Sequence, residues 1–347
     1  MNKEVENMPK VVQHLHLDGS LRPETVKEWI EEMLGKKVDI EVVKKLLMVD
    51  KDCKDLNQYL EKFDTPMKVL QTAEHLERAT FELYEDLANQ NVVYAEVRFA
   101  PSKHLMGGLS YDEVVTAVIK GMNRAKEQYG IDGNIILCCM RGSGEKNKEE
   151  NFETVETAKK FLGKGVGALD LAGAEAIFTT DNFEDVFKKA KEYNIPYTIH
   201  AGEADGPKSI NNALDYGAKR IGHGVRCIED EKTMKRVKEL GESEGLVLEV
   251  CPISNLQTQA VEGKHPLEKI YRYGIKTTIN TDNNTVSSTN ILDEYNWVLD
   301  NTNLTTSDLA KMNEYACRSI FGTPEQKRKI QQKLDEYNRE ENAGERE

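Results

Sequence analysis

Four of the seven histidines in the sequence stand at the ends of short apolar runs whose composition is typical of β-strands. The first two belong to the segment QHLHLDGS, residues 13–20, in which one residue separates His14 from His16. Because residues i and i+2 of a strand point to the same side, both imidazoles could reach one metal ion. On its own, such a pair is at least as typical of a structural or surface site.

Two further ligand candidates close other apolar runs. His200 follows residues 195–199, and Asp282 ends the run 278–282. Three imidazoles and one carboxylate suit Zn²⁺, and an added water would make the site five-coordinate and catalytic. A single buried His or Asp is more often a core residue with satisfied hydrogen bonds. Four of them at the ends of predicted strands 1, 5 and 8 favour one metal site, formed by His14, His16, His200 and Asp282.

Two more ionisable residues lie beside these candidates. His223 ends the sixth predicted strand and is not needed as a ligand, so it could hold or deprotonate the attacking water. Glu203 lies three residues beyond His200, far enough into the loop to reach a substrate. Burial raises the pKa of a carboxyl, which lets it stay protonated and act as an acid. The alternative for Glu203 is a solvated loop carboxylate.

Eight short runs rich in β-formers must position these residues, and longer charged segments with helical spacing separate them. This alternation is typical of parallel βαβ units, and eight of them fit a closed (β/α)₈ barrel (the TIM barrel) better than an open sheet. Active sites of such barrels lie at the carboxyl ends of the strands. The predicted strands are Val11–Leu17, Val92–Ala100, Asn134–Arg141, Gly165–Leu171, Pro196–His200, Lys219–His223, Leu246–Cys251 and Lys276–Thr281.

The connection between the first two strands, about residues 19–91, is too long for one crossover helix. It should contain several helices that cover the barrel mouth. Within it one apolar helical stripe is spaced i, i+3, i+4 and i+7, for which ordinary core packing is the alternative. The stripe consists of Leu56, Tyr59, Leu60 and Phe63. From about residue 322 a charged helical pattern fades into a polar tail, and we expect residues 1–347 to form one domain.

Composition limits the function classes. The chain has 347 residues, 39% of them hydrophobic, and a formal net charge of -13, which disfavours nucleic acid and anionic membranes as partners. No run approaches the roughly 20 apolar residues of a membrane span, and no signal-peptide pattern occurs at the start. Six scattered cysteines are typical of a reduced, cytoplasmic protein. Small neutral molecules remain as ligands, and the oligomeric state is open.

Seven sequence blocks together resemble the adenosine deaminase family. They occur in that family's order between about residues 11 and 295. The blocks are HLHLDGS (14–20), EVRFAP (96–101), DLAG (170–173), HAGE (200–203), IGHG (221–224), EVCP (249–252) and NTD (280–282).

The resemblance implies a (β/α)₈ barrel with one Zn²⁺ that hydrolytically deaminates adenosine, and 2′-deoxyadenosine, in purine salvage. It implies that His14, His16, His200 and Asp282 hold the zinc, with His16 also beside the substrate. It further implies that Glu203 protonates purine N1 and that His223 orients the attacking water. By similarity the Gly173 N–H binds purine N3, Asp18 accepts from the ribose 5′-hydroxyl, and the Leu56, Tyr59, Leu60 and Phe63 stripe is the family's apolar lid.

One position departs from the family pattern. The zinc-binding Asp of the family is usually followed by a second Asp that contacts purine N7, whereas Asn283 follows Asp282 here and Asn284 replaces a common Pro. An aspartate must be protonated to donate to N7, whereas an asparagine can donate without that requirement. We therefore expect recognition of N7 to survive.

Several alternative functions remain to be weighed, and the nearest of them uses the same scaffold. An adenine or modified-adenosine deaminase is one, although related adenine-specific proteins tend to carry Glu where this chain has Asp18. A binuclear amidohydrolase would need a lysine where the chain has Asp170 to Gly173. The H-x-E and P-C-x-x-C motifs of cytidine deaminases do not occur. An inactive nucleoside-binding or partner-binding module would be expected to have lost a ligand or the acid, and a structural zinc site would leave no open position.

Overall fold

Eight parallel strands form the centre of the computed structural model, which describes residues 2–344 and the side chains up to residue 339. The strands are β1 (Lys10–His16), β2 (Val92–Phe99), β3 (Asp132–Met140), β4 (Val166–Ala172), β5 (Thr198–Ala201), β6 (Arg220–His223), β7 (Val247–Val250) and β8 (Thr277–Ile279).

The strands pair in chain order as two four-stranded parallel sheets, β1 to β4 and β5 to β8. Single parallel bridges join the sheets at both ends, between Leu15 and Asp282 and between Leu169 and Tyr197. At the first junction the His16 N–H donates to the Asp282 carbonyl at 2.8 Å. Strand residues are buried almost throughout, as expected for a parallel sheet covered by helices. The predicted (β/α)₈ fold class is thus confirmed.

Strand ends differ slightly from the sequence expectation. Strand β3 begins two residues earlier than predicted, and β5 extends one residue further, to Ala201. Strand β8 stops at Ile279, short of the expected Thr281, because the Asn280 side chain takes over the pairing with β1. Its amide oxygen accepts the backbone N–H groups of Gln13 at 2.8 Å and His14 at 3.0 Å.

Helices follow the strands and bury one face each against them. Local signals define several helix ends, such as the capping box of Ser110 and Glu113 that begins the helix Tyr111–Tyr129. The helices outside the long first connection are α1 (Lys3–Asn7), α7 (Tyr111–Tyr129), α8 (Gly144–Phe161), α9 (Glu184–Glu192), α10 (Pro207–Tyr216), α11 (Glu231–Glu244), α12 (Pro252–Gln257), α13 (Leu267–Arg272), α14 (Ile291–Asn301), α15 (Thr306–Ser319) and α16 (Pro324–Gly344). Within residues 2–344, no helix is both long and apolar enough to cross a membrane.

The connection between β1 and β2 contains five helices: α2 (Pro23–Leu34), α3 (Ile40–Leu47), α4 (Leu56–Leu60), α5 (Asp64–Val69) and α6 (Ala73–Ala88). The predicted apolar stripe does not lie on one helix, because α4 ends at Leu60 and a tighter 3₁₀ turn covers Glu61–Phe63. Leu56, Tyr59 and Phe63 are nevertheless buried together and pack against Val286, beyond β8. The stripe therefore spans two consecutive helical turns of different pitch.

Helix α16 corresponds to the charged segment expected from about residue 322. Two of its apolar residues, Ile330 and Leu334, are buried in a small cluster with Val11 of β1 and Tyr94 of β2. These two strand residues lie near the amino-terminal ends of their strands. The helix therefore packs at the end of the barrel opposite the carboxyl ends of the strands.

Candidate functional site

Four side chains meet at the carboxyl ends of the strands. The potential ligand atoms of His14, His16, His200 and Asp282 all lie within 4.8 Å of one another, and all four residues are buried. His16 Nε2 is 3.2 Å from His200 Nε2, and His14 Nε2 is 3.2 Å from Asp282 Oδ1. Nitrogen and oxygen lone pairs that converge in this way fit a shared metal cation, so the predicted ligands form a metal-binding cluster.

Protonation states suit the same cluster. Burial, outweighing nearby carboxylates, lowers the pKa of both His16 and His200, which keeps their imidazoles neutral. Burial alone would raise the pKa of Asp282, but the hydrogen bond from His14 and the neighbouring histidines hold it well below its usual range. For His14, hydrogen bonds to Asp282 and Glu249 outweigh burial and raise the pKa, so this imidazole would lose its Nε2 proton when a metal binds. Neutral imidazoles and an ionised carboxylate are the forms that bind a metal.

Two buried carboxylates orient the histidines from behind. Glu249 of β7 accepts from His14 Nδ1 at 2.8 Å, and Asp170 of β4 lies 2.9 Å from His200 Nδ1. Arg98 of β2 joins the two carboxylates, with contacts of 2.7 Å to Asp170 and 2.9 Å to Glu249. Carboxylate partners of this kind fix the tautomer and direction of ligating imidazoles.

No role was predicted from the sequence for these three residues. A signal for them exists, because Arg98, Asp170 and Glu249 are charged residues inside apolar strand segments. A charge at such a position is buried and must be paired.

We expect Asp170→Asn to weaken metal binding by about 10–100-fold, because the amide can no longer accept the His200 Nδ1–H as a charged partner. Titration against a coloured chelator measures this change. Asp132→Asn is the matched control. Asp132 pairs with Lys126 at the amino-terminal end of β3, away from the metal-binding cluster at the carboxyl ends of the strands. Equal metal affinity in the Asp170→Asn and wild-type proteins would contradict the orienting role.

His223 and Glu203 lie beside the metal-binding cluster. His223 Nε2 is 3.4 Å from Glu203 Oε2 and has no hydrogen-bond partner, while the Asn255 amide contacts Nδ1 at 3.0 Å. With the amide donating to Nδ1, the ring proton is on Nε2 and points toward Glu203. His223 and Asp282 both have left-handed backbone conformations, with φ of 60° and 61°. Such strain in non-glycine residues is typical of functional sites.

Glu203 has the environment of a proton donor. It is buried, and its Oε1 has no hydrogen-bond partner. Burial, followed by the negative charge of Asp282, raises the pKa of the Glu203 carboxyl well above its usual range. A raised pKa favours the protonated carboxyl, which is the form that a general acid requires.

A cavity of about 260 Å³ opens onto these groups. All the predicted site residues line it except His14, which lies beneath as part of the metal-binding cluster. The predicted residues on its wall are His16, Asp18, Leu56, Tyr59, Leu60, Phe63, Gly173, His200, Glu203, His223, Asp282 and Asn283.

Three polar positions on the cavity wall are available to a ligand. Asp18 Oδ1 is buried without a partner, and burial raises the pKa of this residue to about 7. Gly173 has a backbone φ of 109°, a conformation that residues with a side chain rarely adopt. Asn283 donates to the Tyr59 hydroxyl at 3.0 Å, while its own Oδ1 is buried without a partner.

Comparison with known proteins confirms the family resemblance. The sequence profile of the adenosine deaminase family matches residues 9–337. An adenosine deaminase of Clostridium perfringens is 41% identical over 330 residues, which cover 93% of this chain and 97% of that protein. An adenine deaminase of Arthrobacter aurescens, of known structure, is 25% identical with a TM-score of 0.83 and covers 96% of this chain and 99% of its own. The N6-methyl-AMP deaminase of Arabidopsis thaliana, also of known structure, is 26% identical with a TM-score of 0.83. The match covers 96% of this chain and 98% of that protein. The chain therefore belongs to the adenosine deaminase family.

Proposed function

We propose that this protein catalyses the zinc-dependent hydrolytic deamination of adenosine, and of 2′-deoxyadenosine, to inosine and ammonia. The observation that carries the proposal is a buried carboxyl group, Glu203, with a raised pKa and an unpartnered oxygen, beside four converging metal-ligand candidates in one cavity. The relative from Clostridium perfringens, named adenosine deaminase, supports the same reaction.

His14, His16, His200 and Asp282 would hold the metal ion. Their donor set of three imidazole nitrogens and one carboxylate favours Zn²⁺ among the common divalent cations. When bound, the ion would lower the pKa of water so that hydroxide forms near neutral pH.

The remaining steps are proton transfers and the orientation of water, which side chains of the site control. Glu203 donates a proton to purine N1, which makes C6 electrophilic. The Nε2–H of His223 holds the oxygen of the attacking water on the C6 side, with Asn255 fixing the ring. Water adds at C6, and the proton that it loses moves to the amino group. The C6–N bond then breaks, ammonia leaves, and the proton of the C6 hydroxyl returns to Glu203 as the C6 carbonyl of inosine forms. A positioned general acid contributes about 10²–10⁴-fold in rate.

The cavity wall supplies recognition. The Gly173 N–H would donate to purine N3, and the Asn283 amide would donate to N7. Asp18 would accept from the ribose 5′-hydroxyl through the oxygen that has no partner. The apolar residues Leu56, Tyr59, Leu60 and Phe63 would act as a lid that excludes water from the ring. This exclusion strengthens the polar interactions inside the site.

Asp18 supports a nucleoside substrate over free adenine, because adenine has no ribose hydroxyl to satisfy the buried oxygen. A spectrophotometric assay that follows the loss of adenosine absorbance tests the function directly. We expect rapid turnover of adenosine and little or none of adenine. Turnover of adenine or of a 6-methylamino nucleotide in preference to adenosine would instead support the activities named for the two structural relatives.

Above pH 7, where Asp18 is mainly ionised, Asp18→Ala is expected to raise KM for adenosine by about 10–100-fold, the range for a lost hydrogen bond to a charged group. KM for 5′-deoxyadenosine, which lacks the hydroxyl, should be the same in the variant and the wild type. Steady-state kinetics with both substrates measures the difference. A similar loss for both substrates would contradict the contact between Asp18 and the 5′-hydroxyl.

We further propose that the protein works in purine salvage in the cytoplasm. All six cysteines are buried thiols, which suits a reducing compartment. Fractionation of cells that produce the protein, with activity measured in each fraction, tests this location.

A further inference from the structure

One buried carboxylate holds the backbone of the loop that carries Glu203. Glu175, which follows β4, is 1% exposed. Its Oε1 accepts the N–H of Gly202 at 2.7 Å. Its Oε2 accepts the N–H groups of Glu203, Ala204 and Asp205 at 3.0, 2.7 and 3.1 Å. Four consecutive amide donors therefore converge on a single side chain.

Two hydroxyl groups connect this arrangement to the end of β5. Ser209 donates to Glu175 Oε1 at 2.5 Å and shares a hydrogen bond of 2.7 Å with Thr180. Arg141 donates to the Thr180 hydroxyl at 2.9 Å and to the His200 carbonyl at 2.6 Å. Both oxygens of the buried Glu175 are thus fully hydrogen-bonded, which offsets the cost of burying the charge.

Glu203 itself makes few contacts that could set the position of its carboxyl. Its Oε1 has no partner, and its Oε2 is 3.4 Å from His223 Nε2, longer than an ordinary hydrogen bond. The Thr258 hydroxyl is a further polar neighbour of the carboxyl. The position of the carboxyl therefore depends mainly on the backbone from which the side chain projects. That backbone is the segment 202–205, whose N–H groups donate hydrogen bonds to the Glu175 carboxylate.

We propose that Glu175 is a positioning residue, whose carboxylate fixes residues 202–205 so that the Glu203 carboxyl can reach the purine ring. The inference rests on the proposed function of Glu203 as the acid. Glu175 acts through the loop backbone and not by contact with the substrate. A glutamine could not replace it, because an amide has one acceptor oxygen and its NH₂ group would face backbone N–H donors.

Kinetics of Glu175→Gln with adenosine test the proposal. We expect kcat to fall by about 10–100-fold and KM to change by less than about threefold, since displacement of a catalytic group by 1 Å can cost about 100-fold. The metal content per chain should not change, because Asp170 orients His200. Glu113→Gln is the matched control: Glu113 also accepts a backbone N–H, that of Ser110 at 2.8 Å, at the exposed start of α7. The control should keep the wild-type kcat.

A double-mutant cycle with Glu203→Gln separates positioning from general damage. If Glu175 acts through Glu203, adding Glu175→Gln to Glu203→Gln should lower kcat by less than a further ~threefold. An equal loss in both backgrounds, a loss of metal, or a single variant within about twofold of the wild-type kcat would overturn the proposal.

A second variant covers the case in which Glu175→Gln does not fold. Glu175→Asp keeps the charge but shortens the side chain by one methylene, so it should show a smaller loss of kcat with the same dependence on Glu203. A wild-type protein that does not deaminate adenosine would refute the proposed function, and the positioning role with it. This result is distinguishable, because the wild-type assay precedes every comparison of variants.

Discussion

Glu203→Gln is expected to lower kcat by about 10²–10⁴-fold, the usual contribution of a positioned general acid. Glutamine keeps the size of the side chain but cannot deliver a proton to purine N1. Metal content and the dissociation constant for the product inosine should stay close to wild type, because Glu203 is not among the metal-ligand candidates. Steady-state kinetics measures kcat, elemental analysis measures the metal content, and equilibrium binding measures the dissociation constant for inosine.

Glu244→Gln is a suitable control for this experiment. Glu244 is an exposed carboxylate that pairs with Lys219 near the start of β6, at the other end of the barrel. It should show wild-type kinetics. A kcat near the wild-type value in Glu203→Gln would refute the assignment of Glu203 as the acid.

His16→Ala is expected to lower metal content and turnover together. The substitution removes one of four converging donors, so metal affinity should fall by more than the ~10–100-fold typical of losing an outer hydrogen-bond partner. Elemental analysis after dialysis gives the metal per chain, and activity is measured before and after Zn²⁺ is added. His75→Ala, which removes a histidine stacked on Trp29 away from the site, should keep its metal. Full activity in a metal-depleted preparation would exclude a catalytic metal.

Much of the fold could be predicted from the sequence because each strand is a compact apolar run. All eight predicted runs overlap the eight strands described within residues 2–344. Differences arise where side chains replace backbone pairing, as at Asn280, or where helical pitch changes, as between α4 and the turn that ends at Phe63. Such changes depend on tertiary contacts, and the pattern of apolar residues does not report them.

The side chains of the candidate site were predictable where they end strands. His14, His16, His200 and Asp282 share that position and so converge. Residues that position the site without contacting a metal or substrate are harder to recognise in the sequence. Glu175 lies in a loop and looks like any solvated carboxylate, and only the folded chain brings four amides of residues 202–205 onto it.

The ionic network inside the barrel has a consequence for which ion it can accept. Arg98 and Arg220 are paired there with Glu96, Asp170 and Glu249, and Asp282 adds a further negative charge at the metal-binding cluster. Four carboxylates thus face two guanidinium groups in a region shielded from water. A protonated His14, whose pKa is raised because its hydrogen bonds to Asp282 and Glu249 outweigh burial, can offset only one of the two excess negative charges. A dication restores electroneutrality, whereas a monovalent ion would leave one charge uncompensated at a high desolvation cost. Loading with a dication should therefore also raise the melting temperature of the whole barrel.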